Sequence, residues 1–338
     1  MTRTFVGGVL MGAANLVPGV SGGTMILAVG LYDRFINAVA DVTRLRLKPA
    51  TIVFLGIFAV GLVIAVLGLS SPAVWLVTEH RWIAYSLFIG MTLGGVPALL
   101  ELVKPLSGTA LLAILVGVAA MIGVNQGLSD TALPHTIPVF LIMGALAASS
   151  MILPGISGSY ILLIFGMYDV VIGSVRPREL MENPAESLAI VVPVGIGVVV
   201  GIGLLSNVLK FLLARYSRAS HGVLMGLLLG SVLGLWPFRE AVHPELVSRD
   251  GVGAVQMLLE GEEMSAIEEE RGILFDAETA ARLRTEFAGA SKGDLKRAGL
   301  ELEKYSPSVS RIAISIGLVV LGFLLTMMLA PRSKDAAH

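Results

Sequence analysis

The chain has 338 residues, 55% hydrophobic and 14% charged, with 39 glycines, no cysteine and a formal net charge of −1. With a mean hydropathy of +0.84, it reads as an integral membrane protein whose glycines suit close helix packing in lipid. That composition excludes a soluble nucleic-acid-binding protein, and the lack of cysteine excludes disulfides and thiolate metal sites.

The first element is an apolar run broken in its middle, residues 12–33, GAANLVPGVSGGTMILAVGLYD. It returns at 148–169 as ASSMILPGISGSYILLIFGMYD. Pro18, Gly19, Ser21 and Gly22 match Pro154, Gly155, Ser157 and Gly158; Gly30, Tyr32 and Asp33 match Gly166, Tyr168 and Asp169. The same offset of 136 pairs Gly61 with Gly197, Gly90 with Gly226 and Gly94 with Gly230. A register kept over so long a stretch marks an internal duplication. It also argues against a cleaved leader at 1–17, whose internal copy has no end to be cut from.

Proline ends a helix near itself, glycine admits left-handed backbone, and serine caps a new helix. Each copy is therefore expected to be two half-helices, about 5–17 then 21–36, and about 138–153 then 157–174. A basic loop follows at 33–49. Spanning helices are expected at 51–69, 82–100, 108–128, 188–209, 221–237 and 309–330. Residues 239–308 differ sharply, with 15 acidic and 9 basic side chains. They read as a soluble, mostly helical insert. Its clusters Glu260–Glu263 and Glu268–Glu270 read as solvated helix faces.

Charge bias bears on the topology. If both broken segments are re-entrant hairpins, one side holds Arg3, Arg34, Arg44, Arg46, Lys48, Lys104, Lys210, Arg215, Arg218, Arg332 and Lys334, and the other holds Arg81, Arg176 and Arg178. If each segment spans once, the same charges divide evenly. The positive-inside rule favours hairpins. The fold expected is an all-α membrane protein built as an inverted repeat. Each half is a re-entrant helical hairpin plus three transmembrane helices, making six full spans and two hairpins. The first repeat is 1–135, the second is 136–238 with 309–338, and the insert at 239–308 is extracytoplasmic. Both termini lie in the cytoplasm, and the two Pro-Gly tips meet near the midplane.

Broken helices meeting at mid-depth form a recurrent transporter layout with the substrate between the repeats. The tips offer Ser21, Gly22, Gly23 and Thr24 from one copy and Ser157, Gly158 and Ser159 from the other. Helix N-termini aimed at one point suit a phosphate or carboxylate. The plainer alternative is that these residues only cap and pack the breaks at Pro18-Gly19 and Pro154-Gly155. Asn15, whose matching position is Met151, bonds either a ligand or a neighbouring backbone. Asp33 and Asp169 sit at arm ends, where capping, or for Asp33 pairing with Arg34, competes with function. Arg81 meets a lipid phosphate or anchors the interface. No motif calls for a nucleotide, cofactor or metal, and none marks an enzyme. Three uses fit such tips: a lipid-phosphate translocase, a path for a small soluble anion, or a membrane enzyme acting on a lipid phosphate. A coupling cation, H⁺ or Na⁺, is compatible with the first, but no sequence feature marks its site or the oligomeric state.

The paired motif, N-x-x-PG-x-SGGT…GLYD from Asn15 and PG-x-SGS…GMYD from Pro154, resembles the polyprenyl-phosphate transporter family, PopT, over about 4–238 and 309–330. The resemblance implies return of undecaprenyl phosphate, the carrier lipid of wall synthesis, from the outer to the inner leaflet of the plasma membrane. It also implies that Ser21, Gly22, Gly23, Thr24, Ser157, Gly158 and Ser159 hold the phosphate. The insert is longer than the family leads one to expect.

Overall fold

The computed structural model describes residues 1–17, 20–126, 133–175, 181–299 and 301–329. The chain divides into two compact units, one of Met1–Trp236 with Ser310–His338 and one of Pro237–Val309. The first contains α1 (Thr2–Asn15), α2 (Gly22–Ala28), α3 (Tyr32–Thr43), α4 (Pro49–Glu79), α5 (Arg81–Leu93), α6 (Val96–Val103), α7 (Gly108–Gln126), α8 (Ile137–Ile152), α9 (Gly158–Ile164), α10 (Tyr168–Ser174), α11 (Pro184–Arg215) and α12 (Ser217–Gly234). The second contributes β1 (Arg239–Ala241), α13 (Arg249–Glu260), α14 (Met264–Arg271), α15 (Ala277–Glu286), α16 (Lys292–Ala298) and β2 (Leu302–Lys304), before α17 (Val309–Leu329).

Among the described residues, four helices are long and apolar enough to cross a membrane: Pro49–Leu69, Arg81–Val103, Pro184–Arg215 and Val309–Leu329. Gly108–Val124 and Ile137–Ile152 are shorter apolar helices. On α4 and α11 large aliphatic side chains face outward; Leu67 is 76% exposed, Val199 68% and Leu204 67%. Such a surface suits hydrocarbon as its solvent.

The broken segments form as two arms each, but the second arms differ from expectation. The helices read at 21–36 and 157–174 each turn again. Gly30 has φ +66° and Gly166 φ +67°. Gly30 N–H donates to Leu27 O at 2.9 Å and Leu31 N–H to Ile26 O at 3.0 Å. That pair closes α2 in a Schellman motif, which needs the left-handed backbone glycine supplies. Met167 N–H repeats the outer bond to Leu162 O at 2.8 Å. Each second arm is thus seven residues. At 1.5 Å per residue it rises about 10 Å, a third of the apolar core.

The duplication reappears as matched contacts. A methyl group placed on Gly8 would lie 2.1 Å from Phe58 O, and one on Gly144 would lie 2.2 Å from Val194 O. Both partners obey the 136-residue offset, so α1 packs on α4 as α8 packs on α11. Likewise a methyl group on Gly90 would collide with Val319 O, and one on Gly226 with Ile114 O. The joint between α4 and α5 is His80, at φ −132° and ψ 46°. The joint between α11 and α12 is Tyr216, at φ −129° and ψ 47°.

The second unit is helical as expected, but an antiparallel ribbon also pairs Arg239 with Lys304 and Ala241 with Leu302. Its own core buries Val255, Leu258, Ile267, Leu283 and Leu295. Glu260, Glu262, Glu263 and Glu268–Glu270 are exposed. Among the described residues no group of three His, Asp or Glu is placed to hold a metal. Asp276 caps α15 by accepting the Thr279 N–H at 2.8 Å, and Ser291 with Asp294 forms a capping box on α16. These bonds hold both carboxyls below the usual carboxylate value of 3.8, chiefly through the Thr279 amide for Asp276 and the Ser291 hydroxyl for Asp294. Depressed carboxylates stabilise a fold fully above their ordinary value and lose that contribution as pH falls through the lowered one. Amide protection in α15 and α16, corrected for intrinsic exchange, is therefore expected to fall below pH 3.8. Asp276→Asn/Asp294→Asn is expected to flatten that dependence.

Candidate functional site

The two breaks, far apart in sequence, touch. The Ser21 hydroxyl donates to Leu153 O at 2.9 Å. The Gly155 N–H donates to Thr24 Oγ1 at 2.8 Å, a buried bond. Gly23 has no room for a side chain, since a methyl there would lie 2.7 Å from Ile152 O. Gly155 has φ +87°, with Leu227 O and Ser231 of α12 closing on it. The start of α2 is thereby stitched to the end of α8. Both the turn of the chain and the small residues are needed for the approach.

The first copy's polar groups are largely engaged. Besides Ser21 and Thr24, the Gly22 N–H donates to Asn15 Oδ1 at 3.2 Å, and the Thr24 N–H to Ser21 O at 3.1 Å. Asn15, ambiguous in sequence, thus caps α2 from the helix before it. The second copy's Ser157 and Ser159 hydroxyls bond one another at 2.8 Å. Burial separates the copies. Ser21 is 3% exposed and Thr24 2%, and Gly22, Gly23 and Gly158 are buried, whereas Ser157 is half-buried and Asn15 and Ser159 are exposed. One tip is sealed; its repeat-mate and the Asn15 amide are within reach of the surroundings. Pro154 and Gly155 are buried. Pro18, Gly19 and the Asp169 side chain lie outside the described residues.

Asp33 does not pair with Arg34, whose guanidinium lies 4.4 Å over the Phe54 ring. Its Oδ2 instead lies 3.4 Å from His221 Nε2 on α12. His221 belongs to no sequence motif. An ionisable side chain in the first turns of an apolar helix was the available signal. Lys210 is one of the charges counted for topology. It bonds Asp41 on α3 at 2.6 Å and holds that carboxyl below its ordinary range. Asn207 Nδ2 beside it donates to Thr43 Oγ1 at 3.1 Å. These bonds fix α3, from the first repeat, to α11 and α12 of the second. Arg81 lies over the Tyr85 ring at 4.1 Å, a cation–π contact suited to an interface.

A model of the undecaprenyl phosphate translocase-like family matches residues 11–251. A polyprenyl-phosphate transporter of Vibrio cholerae serotype O1 is 33% identical over 251 residues, covering 71% of this chain and 79% of that protein. A polyprenyl-phosphate transporter of Staphylococcus aureus is 30% identical over 241 residues, covering 68% and 84% respectively. No solved structure matches. The matched stretch holds both breaks and the α3 contacts, and its extent settles the affiliation: the chain belongs to the undecaprenyl phosphate translocase-like family.

Proposed function

We propose that this chain carries a polyprenyl phosphate, undecaprenyl phosphate in the first instance, from the outer to the inner leaflet of the plasma membrane, returning carrier lipid to wall synthesis. The observation that carries the proposal is the stitch between the two broken helices, Ser21 to Leu153 and Gly155 to Thr24. It brings two sets of polar groups together between largely apolar helices. Carrying a bare charge to mid-depth costs several kcal/mol or more, and a polar seam lowers that cost while the prenyl tail stays in lipid. No chemical step is asked of the protein.

In this reading the repeats, 1–135 and 136–238 with 309–338, are inverted, with six spans and two re-entrant hairpins. Both termini are cytoplasmic and the insert lies outside. The seven-residue second arms support re-entry, since none could cross alone. Charge bias supports the orientation. The accessible Ser157, Ser159 and Asn15 receive the phosphate. Ser21, Gly22, Gly23, Thr24 and Gly158 meet it once the tips part, and motion between the repeats then delivers it to the other side.

Ser157→Ala/Ser159→Ala tests this without cutting the stitch. A hydrogen bond to a charged group is worth about 1.5–3 kcal/mol. Transfer of labelled undecaprenyl phosphate in proteoliposomes is expected to fall at least about tenfold. An unchanged rate would reject the phosphate-binding role of the tip.

A further inference from the structure

His221, in the first turns of α12, is 3% exposed, and the tips leave it without a task. Its Nδ1 lies 2.7 Å from the Ser217 carbonyl on its own helix. A carbonyl only accepts, so this bond is made with the hydrogen on Nδ1, and the Ser217 hydroxyl, 3.3 Å from the same nitrogen, can accept from it as well. In the neutral ring Nε2 is then a bare lone pair. Asp33 Oδ2, a second acceptor, lies 3.4 Å from Nε2. The contact is repulsive without a proton on Nε2 and attractive with one. Nε2 is also buried and has no aligned hydrogen-bond partner.

The surroundings isolate this pair. Of the elements packed against α12, α7 carries no titratable side chain. Glu101 at the end of α6 is paired with Lys104 at 2.9 Å. Arg81 on α5 lies over Tyr85. On α11, Lys210 is held by Asp41 at 2.6 Å, and Arg215 lies over Tyr216. On α3, Arg34 lies over Phe54. Arg218, on α12 itself, is exposed. Among the described residues, Asp33 alone comes within ion-pair distance of the imidazole. The Asp33 side chain is 52% exposed, so the pair touches the surroundings on one side.

We infer that His221 and Asp33 form the proton site through which transport is coupled to a proton gradient. The inference rests on the transport reading above and names its coupling ion. Asp33 opens α3, a few residues past the arm that begins at Ser21. His221 belongs to the other repeat. A bound proton makes the imidazolium donate to the carboxylate and closes the seam between repeats. Its loss to water beside Asp33 leaves two acceptors face to face, and the seam opens. Lys210 and Asp41 make a neighbouring bridge between the same two repeats. The position matching His221 in the first repeat is Tyr85, a phenol in place of the imidazole.

The test uses the full chain in proteoliposomes, with the membrane potential clamped by potassium and valinomycin. One proton per lipid and a gradient of one pH unit, inside alkaline, shift the steady-state leaflet ratio about tenfold. His221→Gln and Asp33→Asn are expected to bring the ratio of gradient-driven to gradient-free transfer down to one. A second measurement needs no transport. Linkage requires that a coupled proton change lipid affinity, so the Kd of the solubilised protein for undecaprenyl phosphate is expected to vary several-fold more between pH 5.5 and 8 in wild type than in either variant. The lipid's own phosphate titrates in that range, so the difference from wild type is the readout. Variants that keep the wild-type gradient response and the wild-type pH dependence of Kd overturn the inference. A wild type that transports without responding to the gradient overturns it too and leaves the transport reading standing. A wild type that moves no lipid brings down both.

Discussion

Gly23→Ala is expected to reduce lipid-phosphate transfer by about a hundredfold or more while the protein still inserts. The methyl would lie 2.7 Å from Ile152 O and 3.1 Å from Leu153 O. Both are backbone atoms at the end of α8, so no side chain can swing aside. The breaks must separate by several tenths of an ångström to an ångström. The bonds from Ser21 to Leu153 at 2.9 Å and from Gly155 to Thr24 at 2.8 Å lie on either side of the insertion point. Leaving a buried donor or acceptor unmet costs about 1–3 kcal/mol each, and an ångström of misplacement in a preorganised site costs about a hundredfold in rate. Gly56→Ala on α4 is the control. Nothing lies within 4 Å of its would-be methyl, and alanine favours a helix over glycine by about 1 kcal/mol. It is expected to transport as wild type and melt no lower. Wild-type transfer by Gly23→Ala would mean that the meeting of the breaks has no part in transport.

What could be read from the chain follows the range of the forces involved. Pro154 and Gly155 act on their own turn, so the breaks were visible, and the repeated register exposed their kinship. Gly30 and Gly166 were visible too, quoted twice in the same motif, yet the apolar run continues past them and masks the second turn. A Schellman closure depends on backbone bonds such as Leu31 to Ile26, which hydropathy does not register. The insert's ribbon joins three-residue strands some sixty positions apart, too short for any period and too distant for a turn signal. The site divides the same way. The hydroxyls at the tips were legible; that Ser21 and Thr24 bond the opposite break was not. Asp33 with His221, and Asp41 with Lys210, join helices whose pairing is set by which apolar faces meet. In a helix apolar all round, composition does not choose a face.

Valine at Gly61 and valine at Gly197 are expected to destabilise the protein by nearly equal amounts. A Cβ on Gly61 would lie 2.4 Å from Phe5 O and 3.1 Å from Val9 N; a Cβ on Gly197 would lie 2.1 Å from Leu141 O and 3.0 Å from Ala145 N. Each partner of the second set stands 136 positions after its mate in the first. In lipid the apolar side chains of a helix gain little by leaving hydrocarbon, so close backbone approach at small residues supplies the attraction. Overpacking such a contact costs about 1–3 kcal/mol, with more where the backbone itself must move. Both variants are expected to melt well below wild type in detergent, one by parting α1 from α4, the other by parting α8 from α11. Gly195→Val sits two residues from Gly197 on the same helix, with nothing within 4 Å of its Cβ, and is expected to melt close to wild type. If Gly61→Val collapses while Gly197→Val melts like Gly195→Val, the halves do not share one packing scheme. A transport cycle that exchanges the roles of two equivalent halves then loses its physical basis, because equivalence of contacts is what would let each half adopt the other's conformation at similar cost.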